Sequence, residues 1–234
     1  MAISGADGSI ILTTKVDESG INKGFSAIKS GASKVAKGFA VVGAAAATAF
    51  TAISTAAVNS YAEYEQLAGG VETLFKDSSN KLMGYADQAY KTAGMSANEY
   101  MSTVTSFSAS LLQSLEGDTE KAADYANQAV IDMSDNANKM GTSIEMIQNA
   151  YQGFAKQNYT MLDNLKLGYG GTKEEMERLL VDAEKISGIK YDISSFADVT
   201  QAIHVIQTEL GITGTTALEA SSTIQGSASA MKST

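Results

Sequence analysis

The chain has no cysteine, no proline and no tryptophan, one histidine (His204) and one arginine (Arg178). Without cysteine there are no disulfides, no thiolate nucleophile and no cysteine-based zinc site. A single histidine argues against a histidine-rich metal centre. A single arginine argues against an arginine clamp on phosphate. The missing proline matters most, because proline punctuates most mixed folds and its absence suits a chain helical nearly throughout. Basic charge is also scarce: Lys and Arg total 17 against 26 Asp and Glu, for a formal charge of −9. Nucleic-acid binders draw their affinity from basic phosphate contacts, so no sequence-specific nucleic-acid binding is expected. The imbalance is regional. Residues 1–60 carry five lysines and three acids, and residues 61–234 carry twelve basic and twenty-three acidic groups.

What is present is apolar patterning. Hydrophobic residues make up 44% of the 234 residues, too many for a disordered chain and enough for a sizeable core. The first residues lack the basic n-region and long apolar run of a signal peptide. The segment "GSIILTTKVD" reads as a short strand or extended arm without a nearby hairpin partner, so it should pair with another copy or another protein. Ser19 then opens a helical pattern through Ile21, Phe25, Ile28, Ala32 and Val35. From Gly38 to Ala62 no charge occurs, and the run is mostly Ala, Gly, Thr and Ser. It is long enough to cross a bilayer, but small residues dominate it. Two readings stand: a tightly packing helix face, and a membrane segment. Gly38, Val42, Ala45, Ala49, Ala52 and Ala56 are the residues expected to carry either role.

From residue 61 amphipathic helices follow one another. Leu82, Ala86, Ala89, Tyr90 and Ala93 share a face that stops at Gly94. Capping boxes are read at Ser96/Glu99, Thr142/Glu145 and Thr172/Glu175, and another helix start at Thr216/Glu219. Gly117-Asp118 breaks and restarts the chain. Ala122, Ala126, Ala129, Val130, Met133, Ala137 and Met140 form an apolar stripe. Met176, Leu179, Leu180, Ala183 and Ile186 form another, stopped by Gly188. Phe196, Val199, Ile203, Ile206 and Leu210 form a third, ending at Gly211. Glu174 and Arg178 stand at the stabilising i,i+4 spacing. A faint repeat, "YADQA" at Tyr85 and "YANQA" at Tyr125, is explained as well by chance as by duplication.

Few residues suggest chemistry. His204 lies about 100° round from its helix's apolar stripe, beside the polar Thr200 and Gln207, and reads as a surface histidine. No serine sits in a nucleophile-elbow context. The cluster "GYGGTK" at Gly168–Lys173 lacks P-loop spacing and a preceding strand; Gly170 and Gly171 read as freeing the turn before Thr172. Met95, Met101, Met133, Met140, Met146 and Met161 read as core filling.

The order of segments resembles a known family. It runs through "DGSIILTTKVDESGINKG", the Lys-flanked Ala/Gly-rich helix, "YEQLAGGVETLFKDSSNK", "SANEYMSTVTSFSASLLQSL", "NANKMGTSIEMIQNAYQGFAKQNYTMLDNLKLGYGGTKEEMERLL" and "TTALEASSTIQGSASAMK". Together these resemble the N-terminal region of tail tape measure proteins of phages and prophages of Gram-positive bacteria. The resemblance implies a structural virion protein rather than an enzyme. Such a protein packs in the tail tube, templates tube polymerisation and length, and leaves at DNA ejection. It implies self-association, tail tube protein and tail assembly chaperones as partners, a location in the tail after assembly in the host cytoplasm, and contact with the host membrane through residues 38–62. It carries over no catalytic residue, cofactor or metal. Family members run to many hundreds of residues, whereas a fully helical chain of 234 residues spans only about 350 Å, so a fragment, a truncated gene or a processed N-terminal piece is expected.

The expected architecture is all-α: an extended arm at 1–17, a small-residue helix at 18–60 and an acidic multi-helix domain at 61–234. Rival readings are a membrane-active helical protein using residues 38–62, and a cell-wall hydrolase.

Overall fold

The computed structural model describes the backbone of residues 43–222 and the side chains of 59–220. All regular structure among these residues is helical. The expected N-terminal strand and Gly38 and Val42 lie outside the described residues. Ala45, Ala49, Ala52 and Ala56 fall in helix α1, where only the backbone is described. The chain divides into two compact units, Met1–Asn59 and Ser60–Thr234. Of the first, only the helical backbone from Gly43 onward is described.

Helix α1, Gly43–Phe75, is 33 residues long, about 50 Å at 1.5 Å per residue. It continues through residue 60. Its last turns bury Val71 and Phe75. Asn98 donates to the Ser60 carbonyl at 3.0 Å. A 3-10 turn at Lys76–Ser78 leads to α2, Ser79–Thr92, then α3, Ala97–Ser114, and α4, Thr119–Met140. Next come α5, Ile144–Phe154, a 3-10 turn at Leu162–Leu165, α6, Lys173–Ser187, α7, Phe196–Glu209, and α8, Thr215–Ser222.

Side-chain caps set most of the starts. Ser96, Asp118, Ser143, Thr172 and Ser195 each accept a hydrogen bond from the backbone N–H three residues on, satisfying a donor the helix cannot use. One expected cap is displaced: Ser143, not Thr142, caps α5. Thr142 instead donates its hydroxyl to the Asn164 carbonyl, 22 residues away. The start at Thr216/Glu219 also differs. The Thr216 N–H donates to Asp135, far away in sequence, and Glu219 accepts from Asn138. Gly141 and Gly188 end α4 and α6 in the left-handed conformation, with φ of 63° and 72°, which glycine adopts without steric cost.

Helix α4 is the centre of the unit, packing against α2, α3, α5, α7 and α8. Its stripe from Ala122 to Met133 is buried, while Ala137 and Met140 are half-buried. The aromatic joints lie between its neighbours. Phe107 of α3 meets Phe196 of α7 edge-on, with ring centroids 5.9 Å apart, and Tyr151, Phe154 and Tyr159 form a run of ring contacts. Such pairs add to the area they bury. Helix α6 packs on α7. Three residues of the expected stripes are not in the core: Tyr90 is half-buried outside it, and Ile186 is 47% exposed and Leu210 53%, each at the C-terminal end of its helix. The methionines also divide. Met95, Met101 and Met133 are buried and Met140 is half-buried, whereas Met146 and Met161 are exposed.

The glycine cluster before α6 is built differently from the expectation. Gly168, at φ 87°, provides the left-handed turn. Gly171 is needed for space, because a Cβ there would collide with the backbone carbonyl of Thr160. At Gly170 it would meet only the Glu175 side chain at 3.5 Å. Gly171→Ala is therefore expected to destabilise the unit by about 1–3 kcal/mol, and Gly170→Ala to change little. Thermal unfolding of both variants checks this: equal midpoints would remove the steric argument.

Candidate functional site

Helix α4 buries polar side chains on its way through the core: Asp132 is 1% exposed, Ser134 8%, and Asp135 and Asn136 0%. Buried polar groups are costly unless bonded, and each of these reaches a different segment. Ser134 donates to the Ala93 carbonyl at the end of α2, at 2.6 Å. Asn136 donates to the Leu165 carbonyl in the 3-10 turn, at 3.0 Å. Asp135 accepts from the backbone N–H groups of Gly214 and Thr216, at 2.6 and 2.8 Å, so it caps α8 from another helix.

Asp132 faces α7. Both of its oxygens lie 3.0–3.1 Å from Nδ1 of His204, and the Gln128 amide donates to Oδ1 at 3.2 Å. Between two carboxylate oxygens, Nδ1 must carry the proton and donate it. It then has no lone pair for the Gln128 amide 3.1 Å away, so that contact is proximity and the amide's bond is the one to Asp132. The expected surface histidine is thus a half-buried partner of a fully buried carboxylate. Thr200 and Gln207 beside it are buried too, at 1% and 0% exposure, because α7 is covered by α4 and α6 on more than its apolar stripe.

The hydrogen bond from His204 opposes the burial that pushes the Asp132 carboxyl up from its usual range. The Asp132 carboxylate holds His204 above its ordinary value of 6.5, against the opposing effect of burial. Both shifts mean that the folded chain holds these protons more tightly than the unfolded chain, so stability falls as pH rises. For His204 the contribution is fully present below pH 6.5 and is lost as pH climbs through the raised value. Urea midpoints are expected to drop above pH 6.5 and to flatten in His204→Gln. A wild-type profile rising over that range would contradict the pairing.

A hydrolytic triad needs a nucleophile hydroxyl bonded to the imidazole. Among the described residues no hydroxyl bonds His204, whose ring contacts are Asp132 and Gln128. The same residues contain no group of His, Asp and Glu suited to a metal ion, and no helix long and apolar enough to cross a membrane. The Gly168–Lys173 loop has its own anion: the Gly170 N–H donates to the Glu175 carboxylate at 2.9 Å. Arg178 closes this corner. It bonds Glu175 and the Gly168 carbonyl and stacks on Tyr169 at 4.3 Å. The expected Glu174–Arg178 pair is therefore replaced by Glu175, one turn back, with Asp182 at 3.9 Å.

The surface of the described residues includes two clefts of note. One, of about 340 Å³, lies among Ser110, Ser114, Gln157, Ser194 and Phe196. The other, of about 550 Å³, runs between α6 and the connector leading to α7.

Comparison with protein families, curated proteins and solved structures gives no match.

The buried polar row was missed in the sequence, although a signal existed. Gln128, Asp132, Asp135 and Asn136 recur at i, i+4, i+7 and i+8, a second stripe beside the apolar one. On a helix surrounded by its neighbours, that flank is interior as well.

Proposed function

We propose that this chain is a structural protein of the phage tail tape measure type that acts by packing against other proteins. The observation that carries the reading is the sequence resemblance, strongest over the stretch from Asn136 to Leu180. That stretch includes Asn136, whose side chain holds the 3-10 turn, and the Glu175–Arg178–Tyr169 corner. Support in kind comes from the continuous 33-residue helix α1. The acidic balance of residues 61–234 also suits a lumen through which DNA slides without sticking. The polar side chains buried along α4 act as internal ties, so function falls to surfaces. Tail tube protein, tail assembly chaperones and further copies of the chain are the proposed partners, and no catalytic residue is assigned.

Electron microscopy of particles made with the reading frame intact, and with it cut at Glu63, tests the proposal. Absent or widely variable tails in the cut strain are expected. Normal tails in both strains would end it.

A further inference from the structure

Among the described residues, four buried side-chain polar atoms have no hydrogen-bond partner in the protein: Oδ1 of Asn136, the Tyr151 hydroxyl, and both Nε2 and Oε1 of Gln207. Three of the four meet at one corner of the core. Tyr151 of α5 and Gln207 of α7 are each 0% exposed, and both helices pack on α4. Gln207 stands three residues beyond His204 on α7, so the two side chains are neighbours on the helix surface, and His204 meets Asp132 of α4. Tyr151 reaches the same corner. Burial, and then the nearby Asp132 charge, keep its phenol protonated well above the ordinary value of 10, while the Gln207 amide beside it opposes the shift.

A direct bond between phenol and amide would not satisfy this set. The amide offers two N–H groups and a carbonyl, and the phenol one O–H. One such bond leaves the other end of the amide orphaned, and orphaned polar groups in a core are costly and rare. An occupant that satisfies both ends must donate to the amide carbonyl and accept from an N–H or O–H. A cation cannot accept. An anion would be repelled by the buried carboxylate of Asp132. Water does both, and an internal water takes about two to four such partners. Asp132 adds one more acceptor, because Oδ2 takes a bond from His204 and has a second lone pair.

We infer that the corner where α4, α5 and α7 meet is an internal water site, held by the Tyr151 hydroxyl and the Gln207 amide with Asp132 as a further acceptor. The polar row along α4 then does not end at Asp132. It continues through water to Tyr151, so α5 and α7 are joined by hydrogen bonds as well as by their shared packing on α4. The inference concerns the interior of the unit and stands or falls independently of any role in a tail.

Oxygen-17 relaxation dispersion of the full chain tests it by counting waters held in the interior. Wild type is expected to hold at least one more than the double variant Tyr151→Phe/Gln207→Met, which removes the three unpaired atoms at nearly constant volume. Urea denaturation adds a test of sign. A dry, unpaired hydroxyl would be a penalty, and Tyr151→Phe would raise the midpoint by relieving it. With water bonded there, the same change removes one of the water's partners, and the midpoint is expected to fall. Circular dichroism establishes that the variants are folded. Should the double variant not fold, a high-resolution crystal structure of wild type decides, by density within hydrogen-bond reach of Tyr151 and Gln207 or its lack. Equal counts in wild type and the folded double variant would overturn the inference, as would a raised midpoint in Tyr151→Phe.

Discussion

His204→Leu is expected to lower the stability of the Ser60–Thr234 unit by about 3–5 kcal/mol. The size comes from what is left behind. Asp132 is 1% exposed, and His204 supplies its only charged hydrogen-bond donor, to both oxygens. Leucine fills the space but leaves a buried carboxylate with one amide, Gln128, at 3.2 Å. The chain must then keep an uncompensated charge in the core or protonate it, and either course costs free energy. Asp132→Asn placed in the same background is expected to recover part of the loss, since a neutral amide needs no counter-charge. Urea denaturation at pH 6, below the ordinary value of the His204 imidazole, which Asp132 raises further, reads both effects. A loss below about 1 kcal/mol in the single variant would mean that the pair is solvated and contributes like a surface ion pair.

Asp135→Ala is expected to cost a similar amount, about 3–5 kcal/mol, from two charge-assisted bonds to backbone N–H groups at roughly 1.5–3 kcal/mol each. Those N–H groups, Gly214 and Thr216, open α8. A helix of 8 residues is too short to persist without tertiary support. The effect should therefore be local as well as global. Amide exchange in Thr215–Ser222 should rise far more than in α4 or α7, and Asp135→Asn should fall between wild type and alanine because one acceptor oxygen remains. Uniform loss of protection across the unit would instead assign Asp135 to the general core.

These two residues also mark where sequence reading stops. The helices themselves were legible, because their start signals are chemical and local: Ser96, Asp118 and Thr172 each precede an apolar periodicity and cap the helix found there. Where two hydroxyls adjoin, the choice between them is made elsewhere. Thr142 yields the cap to Ser143 because the Asn164 carbonyl draws its hydroxyl away, and nothing in the adjacent residues encodes that. Burial of polar groups is likewise a property of the neighbours. Asp132, Asp135 and Asn136 beside an apolar stripe look like a solvated flank, and His204 like a surface residue, until five helices close round α4. Met146 and Met161 show the converse, apolar residues for which the fold offers no cover. The small-residue positions Ala45 to Ala56 lie on α1, outside the described side chains, and no helix among the described residues, α1 included, is long and apolar enough to cross a membrane.

The position of α8 has a mechanical consequence. It packs against α2 as well as α4, so an early helix and a late helix of the unit are held side by side. Ser134 bonds the Ala93 carbonyl at the end of α2, and Asp135 holds the start of α8. Tension applied between α2 and α8 would thus load this clasp before any helix lying between them in sequence. The clasp would set the yield force, and once it opened, the segments between, tied at separations of 29 to 72 residues, would pay out in sequence.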